Sequence, residues 1–566
     1  MKDMTRLDES KICFIACVND QKLYEESLEY ISKLIIPAGM RIDCLSVEDA
    51  DSMCAGYQQA MMSSDAKYKI YMHQDVFIQD EEFLINIVEH FKSNPECGLL
   101  GVVGSEMLWM ESVWWYMPKS GAIVDEGPDG VLREERLQGA EYSKSVAAAD
   151  GLLLATQYDI DWREDLFENW HFYDISQCME FRRKGYDVQL LGQQKTACIH
   201  MCGKGISQNG YQESRISFLR EYEHDLWRGI FKNQGRNGPF TTIIVIKHDN
   251  EAVYKLCLEC IRANTAADTY EIITVNRDSE IAGINEAIER SAGSEIMLLD
   301  DRVIVTPYWL SNLRMALYGN PKVGAVGPAA NDCHVGQNEI IEFNNLSELI
   351  SKAKVYNLLH PGKWHSWPFL EGCCFIIRRE VYEAIGVFDA KYKSIDLAVI
   401  DYCFKLQQQE FRLAAAHDTF VFRNNIAREG SNADKALLDK RWQISEGYKE
   451  LNMFLLKHIS LLDSNKSVLV VGSNAFMTIF YLKLTMSSVK ISYCTDSKTD
   501  YLICKQIVPV FYAKFVEEIL GSNKIGQYDS CIVLNSVKAG LGNIKVLADC
   551  FNEDNIFIET DHKYCK

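Results

Sequence analysis

The sequence predicts an α/β protein in which one strand–helix pattern is written twice and a third, shorter alternating unit follows. Three observations carry that prediction. The string AGYQQA at Ala55–Ala60 recurs as AGINEA at Ala282–Ala287, and HQDVFI at His73–Ile78 recurs as DDRVIV at Asp300–Val305, both 227 positions on. Asp150-Gly151 opens an apolar run as Glu371-Gly372 does 221 positions later, and Cys178, Gly185 and Tyr186 fall opposite Cys403, Glu410 and Phe411 at a spacing of 225. Several matches in order at nearly constant spacing are the mark of a duplicated unit. Second, short apolar runs alternate with helical stretches, the pattern of a largely parallel sheet with helices on both faces. Third, 566 residues are enough for roughly three or four domains of ordinary size.

The elements follow in order. KICFIACV at 11–18 is a β-branched apolar run, followed by a helix around Leu23–Leu34, a strand at Arg41–Val47, a helix at Ala55–Ser63 and a strand at Tyr68–His73. The second copy repeats the series with a strand at Thr242–Lys247, a helix at Ala252–Asn264, a strand at Tyr270–Asn276, a helix at Ile281–Ser291 and a strand at Glu295–Leu299. Gln234–Pro239 is turn-rich and reads as the join between the copies. After Asn425 a charged helical stretch, roughly Asp434–His458, leads to a third unit with strands at Ser467–Val471 and near Lys490–Cys494, Ser530–Leu534 and Asn555–Ile558.

Composition narrows the function classes. A net charge of −20 opposes binding to nucleic acid, whose phosphates demand a basic face, and opposes an anionic membrane surface equally. Nineteen cysteines, an odd number without a zinc-type framework, read as reduced thiols of a cytoplasmic protein. The polar start MKDMTRLDES carries no signal peptide, and no apolar run reaches the ~20 residues of an integral membrane segment. A homo-oligomer is left open.

The chemistry-bearing residues cluster in the first copy. Ligands of open α/β sheets bind beyond the carboxyl ends of the strands, where His73-Gln74-Asp75 falls. An acidic residue there, with a second ligand two positions away, can hold a divalent cation against a diphosphate and so stabilise a leaving group. Asp174 opens the amphipathic stretch Trp170–Val188, as a helix-terminal carboxylate or as a general base. His200, in CIHMCGKG at Cys198–Gly205, can complete a metal shell or simply pack. The Trp-rich stretch Leu108–Tyr116 reads as core, with Trp114 or Trp115 as the alternative of a sugar-stacking face.

HQDV after an apolar strand, the Asp-Gly run at Asp150, HFYD at His171–Asp174 and a late histidine followed by glycine together resemble the family 2 glycosyltransferases of GT-A fold, StrF-like branch, over roughly residues 10–230. The resemblance implies a hexosyltransferase-like, inverting enzyme that uses a nucleotide-sugar donor with Mn²⁺ or Mg²⁺ on its diphosphate. It implies Asp75 as the metal-binding acid, His73 as its motif partner, His200 as a second ligand and Asp174 as the catalytic base. Asn19, Asp20 and Gln74 match the donor-binding positions. The fold implied is a pair of tandem GT-A-like (Rossmann-related) α/β domains with mostly parallel sheets, then a small Rossmann-like C-terminal domain. The boundaries expected are 1–235, 240–425, a helical linker at 426–462, and 463–566.

Residues 241–425 resemble the same superfamily through DDRVIVTPYWL and EGCCFIIRREVYEAIGVFD. Transfer by offset puts Arg302 where Asp75 stands, Val399 where Asp174 stands and Arg423 where His200 stands. A valine accepts no proton and two guanidiniums repel a metal, so this copy is expected to be degenerate, a scaffold or acceptor platform. The alternative is a metal-independent transferase in which Arg302 and Arg423 hold the diphosphate and Asp301, Asp396 or Asp401 is the base, with Asp300 beside them. In the third unit, VLVVGSNAF at Val468–Phe476 resembles a Rossmann-type opening with one glycine, Gly472, and Asp496 ends the next strand. The expected function is sugar transfer to a hydroxyl of a glycan, peptide or small-molecule acceptor. The alternatives are a bifunctional transferase and a non-catalytic glycan- or nucleotide-binding scaffold.

Overall fold

The computed structural model describes residues 7–127, 129–201, 209–232, 235, 238–277, 280–424, 431–444, 448–462, 466–513, 528–534 and 555–559. Five sequence expectations fall partly outside them: the join at Gln234–Pro239, the run from His200 to Gly205, the boundary at Asn425, the linker at 426–462 and the C-terminal unit at 463–566. The chain divides into two compact units, residues up to Gly238 with Gly319–Pro321, and Pro239–Tyr318 with the residues from Lys322 onward.

The first unit opens with the strand Asp8–Val18, whose Ile12, Cys13, Phe14 and Ile15 are buried. Such a continuous apolar run suits a strand covered on both faces. Its sheet runs in the order Arg41–Glu48, Asp8–Val18, Ala66–Met72, Leu153–Thr156, Cys97–Gly101, Asp187–Leu190 and Lys144–Ser145. The first three strands pair in parallel, as do Cys97–Gly101 and Asp187–Leu190. Leu153–Thr156 is antiparallel to both neighbours, so the sheet is mixed where a largely parallel one was expected. The physical reason is the connection. The chain reaches Leu153 through the antiparallel strands Val103–Ser105, Lys119–Glu126 and Leu132–Arg136 rather than through a crossover helix, and only the crossover enforces parallel pairing.

Helices cover this sheet where local signals allow them to start. Asp20 caps Gln21–Ile31 by accepting from the amides of Lys22 and Leu23, and Ser52 caps Met53–Ser63 through the amide of Ala55. Lys69 is fully buried in the third strand, tolerated because its Nζ donates to the Ala66 carbonyl at 2.8 Å and to Asp159 at 2.7 Å. A second, smaller sheet brings Cys198–His200 against Val76–Ile78 and Lys119–Glu126, which delivers His200 next to the end of the third strand.

The second unit repeats the strand order. Tyr270–Asn276, Thr241–Lys247, Glu295–Asp300, Cys374–Arg378, Val323–Ala330 and Arg412–Arg423 follow one another across its sheet, again with the fourth antiparallel to its neighbours. Strand for strand this is the sequence of positions and directions seen in the first unit, so the architecture is tandem α/β.

The C-terminal sheet is all parallel, in the order Val510–Tyr512, Lys490–Thr495, Ser467–Val471, Ser530–Val533 and Ile556–Ile558. It shares one apolar core with residues 239–424: Phe404 meets Phe476, and Trp367 meets Phe480, edge to face. The stretch expected as a single helical linker is two helices, Asn432–Trp442 and Met453–Ser460, separated where Gln443 turns left-handed at φ 53°. Their Leu438, Leu455 and Ile459 are buried in that same core, so the stretch serves as packing rather than as a spacer. Among the described residues no helix is long and apolar enough to cross a membrane.

Candidate active site

The strand order of the first unit places the ends of Asp8–Val18 and Ala66–Met72 side by side, and a cleft of about 720 Å³ opens beyond them. That is where an open α/β sheet exposes backbone ends and binds ligands. His73, Gln74 and Asp75 enter the cleft as the chain turns from the third strand into Val76–Ile78, and His200 arrives opposite Val76 from its own strand. The ligand atoms of His73, Asp75 and His200 lie within 4.8 Å of one another. His200 Nε2 stands 3.8 Å from Asp75 Oδ1, while its Nδ1 is held 3.2 Å from Asp125 Oδ1. Metal–ligand bonds of ~2.0–2.2 Å span such gaps, and imidazole with carboxylate suits Mn²⁺-like ions. Burial, aided by His200, pulls the His73 imidazole down to about 3, so it is neutral and keeps a lone pair. Burial pushes the Asp75 carboxyl up, with His200 opposing.

Asp174 reaches the same cleft from the first turn of helix Tyr173–Arg183. The helix starts abruptly because Phe172 takes a left-handed φ of 64°, wedged against Tyr211 and Phe218. Asp174 Oδ2 accepts from the amide of Gly151 at 3.2 Å, and Asp150, which also lines the cleft, accepts from Leu152 at 2.8 Å. Burial first, then the neighbouring Asp150 charge, push Asp174 up to about 7, the range of a general base working near neutrality. Asp150 is raised by burial as well.

Gln74 and Asn19 line the cleft together: Gln74 Oε1 accepts from the backbone amides of Asn19 at 2.8 Å and Asp20 at 2.9 Å, and its amide donates to Asn19 Oδ1. The Asp20 side chain is spent on capping the first helix and does not line the cleft. Trp114 is largely buried beside the cleft with Trp115 at right angles, 5.9 Å away, and Trp170 stands 43% exposed at the rim. Three contributors had no sequence expectation. Asp125 has no local signal. Tyr173, whose hydroxyl lies 2.5 Å from His73 Nε2, is legible only as the neighbour of Asp174. Asp150 stood out as the start of an apolar run rather than as a cleft acid.

The second unit carries a smaller cavity of about 200 Å³ in the corresponding place. The backbone match is close. His73 N donates to Leu152 O at 3.0 Å and Asp300 N to Cys373 O at 2.9 Å, while Asn19 N reaches the side chain of Gln74 as His248 N reaches that of Asp301. Val76 pairs with His200 and Val303 with Arg423, so Arg302 and Arg423 do occupy the places of Asp75 and His200. The place of Asp174 goes to Asp396, the second residue of helix Ile395–Gln408, rather than to Val399, which is fully buried in the core. The register slips because the carboxylate keeps its place as the second residue of its helix, whose start is offset by 222 rather than 225, and a Cβ on Gly372 would sit 3.0 Å from Asp396 Oδ1.

Asp300 takes a bidentate grip on Arg302 at 2.9 and 2.7 Å, and His248 Nδ1 lies 2.9 Å from Asp301 and 3.7 Å from Asp300. Asp401 lies outside the cavity, fully buried and bound by Arg441, Lys405 and Trp442, which removes it as a base. Arg423 is buried, donating to the Asp332 carbonyl at 2.6 Å. Asp496 is not among the residues lining either cavity.

The match to a known family falls on the first unit. Residues 13–222 match a family described as a glycosyltransferase-like family. An uncharacterized protein, y4gI, of Sinorhizobium fredii is 23% identical over 221 residues, covering 32% of this chain and 24% of its own length, so the chain spans about a quarter of that relative. Among solved structures, GalNAc-T7 with UDP, GalNAc and Mn²⁺ aligns at a TM-score of 0.28 and 12% identity, over 37% of this chain and 49% of that one. The mannosyltransferase PcManGT of Pyrobaculum calidifontis, in complex with GDP-Man and Mn²⁺, aligns at 0.27 and 15%, over 44% and 70%. TarS of S. aureus, residues 1–349, aligns at 0.25 and 10%, over 40% and 75%. Residues 13–222 are thus similar to a glycosyltransferase-like family, and they hold every candidate ligand and base from Asn19 to His200.

Proposed function

We propose that the first unit is an inverting glycosyltransferase that moves a sugar from a nucleotide-sugar donor to an acceptor hydroxyl. The observation carrying this reading is the convergence of two imidazoles, Asp75 and the up-shifted Asp174 on one cleft, within the stretch similar to a glycosyltransferase-like family. His73, Asp75 and His200 would hold a divalent cation, Mn²⁺ or Mg²⁺, which when bound offsets negative charge on the departing diphosphate.

The chain's own residues do the rest. Asp174 takes the proton of the acceptor hydroxyl as that oxygen forms its bond to the anomeric carbon. The bond from that carbon to the diphosphate breaks, and its electron pair leaves with the diphosphate. Gln74 fixes the backbone of Asn19 and Asp20 on the donor side of the cleft. Trp115 and Trp170 also line the cleft, where an aromatic face would suit an acceptor sugar.

A scaffold that only bound glycan or nucleotide would have no use for a buried base at Asp174, which costs stability in its charged form. Transfer and donor hydrolysis, assayed with and without EDTA on wild type, Asp75→Ala and Arg302→Ala, test the reading. Turnover should need the cation, vanish in Asp75→Ala and survive in Arg302→Ala. Equal loss in both variants would instead mark a bifunctional enzyme, and no turnover with any nucleotide-sugar would leave a binding scaffold.

A further inference from the structure

The two cavities differ in charge in a way that bears on what each accepts. Among the described residues, the first is lined by Asp75, Asp125, Glu135, Asp150 and Asp174 against Lys119, five carboxylates to one ammonium, a formal −4 with histidines neutral. A diphosphate would be repelled from it without a cation. Among the described residues, the second is lined by Asp300, Asp396 and Asp434 against Arg277, Arg302 and Lys393, three to three, a formal zero. Two of its three acids are already committed. Asp300 is neutralised by Arg302, and Asp434 accepts the backbone amides of Lys393 and Ser394 at 2.9–3.2 Å. The third, Asp396, has its carboxyl pushed up by burial, which lowers the cost of a neighbouring anion.

We propose that the cavity of the second unit binds the diphosphate of a nucleotide through Arg302, Arg277 and Lys393 without a divalent cation. The inference rests on reading the first unit as a nucleotide-sugar site, since the second shares its strand order and its loop-to-strand hydrogen bonds. Arg302 is presented rather than consumed. Its Nε and Nη2 are held by Asp300, and Nη1 makes no hydrogen bond among the described residues. A guanidinium fixed along one edge is the group suited to a phosphate oxygen. Val275, Ile281 and Ile284 supply an apolar wall on which a nucleobase packs. At about 200 Å³ against 720 Å³, the cavity encloses a diphosphate with part of its nucleoside, the rest extending from its open mouth, and has no enclosed room for a donor sugar together with an acceptor. The site therefore holds a nucleoside diphosphate, the product class of the neighbouring reaction, rather than turning over a donor.

Calorimetry on the full chain tests this, with UDP and GDP as probes. In Asp75→Ala/His200→Ala protein with EDTA present, one of the two nucleotides should still bind at a single site. That affinity should fall about tenfold or more in Arg302→Met, and in Arg277→Ala/Lys393→Ala, whose exposed positions carry little folding risk. Absence of binding by both nucleotides in EDTA, or binding unchanged in both sets of variants, overturns the proposal. A separate cation-dependent binding event in wild-type protein reports on the first unit, so its absence sinks the transferase reading independently.

Discussion

The Tyr173 hydroxyl lies 2.5 Å from His73 Nε2, and the next residue along the helix is Asp174. One short hydrogen bond thus ties the proposed cation ligands to the helix that carries the proposed base. Gly151 leaves the room for it, because a Cβ there would run into the tyrosine hydroxyl.

Tyr173→Phe removes that tie while keeping the ring packed among Tyr57, Trp162 and His73. Partners that orient a metal-bound imidazole are typically worth about 10–100-fold in metal affinity or activity. The Mn²⁺ concentration needed for half-maximal turnover should rise by that order, with the melting temperature of metal-free protein little changed. A melting temperature that falls in parallel would assign Tyr173 to packing alone.

Asp174→Asn should cut turnover by about 10²–10⁴, the usual worth of a general base, with donor binding retained. In wild type, turnover should rise with pH through about 7, as the carboxylate forms. Stability should move the opposite way. The folded-state value lies above the ordinary 3.8, so between about pH 4 and 7 the native state holds a proton that the unfolded chain has released. Resistance to urea should therefore decline as pH rises across that interval and level off above it. Asn at 174 should flatten both profiles, and a slope in urea resistance that persists would shift the titration to Asp150.

Metal removal gives a third readout. A cation bound only by the folded chain raises its apparent stability by about 2.7 kcal/mol at a hundred times its dissociation constant. Thermal melting with Mn²⁺ should show an upward shift that EDTA reverses and that Asp75→Asn and His200→Ala each abolish. An undiminished shift in both variants would move the cation elsewhere, with the His248, Asp300 and Asp301 cluster as the other candidate.

Asp401 offers a contrast between structure and chemistry. Its buried carboxylate joins Arg441, Lys405 and Trp442, anchoring helix Asn432–Trp442 to helix Ile395–Gln408. Removing one partner of a buried pair costs about 3–5 kcal/mol, toward the lower figure here because Arg441 and Lys405 stay partly in water. Asp401→Asn should lower the urea midpoint and leave transfer by the folded protein unchanged.

The legible part of this molecule was the part written in local pattern. Apolar runs such as Lys11–Val18 and the short motifs around His73–Asp75 and His171–Asp174 are each sequence-local, and the structure gathers His73, Asp75 and Asp174 on one cleft. Strand direction was not legible at Leu153–Thr156, because a four-residue buried strand looks the same whichever way it runs. The base of the second unit was misplaced for a related reason. A fixed offset of 225 matches the later turns of the two helices, but Ile395–Gln408 has 14 residues against 11 in Tyr173–Arg183, so it starts three positions earlier than that offset expects. Asp125 and His248 act through contacts across the sheet, which no spacing encodes.

Gln74 sits between two proposed ligands and grips two backbone amides at the end of the adjacent strand. A nucleotide settling against the Asn19 loop and an ion settling between His73 and Asp75 therefore press on opposite ends of one rigid strut. If the first to arrive orders that link, the second meets it already ordered, and each should then tighten the other by the same factor.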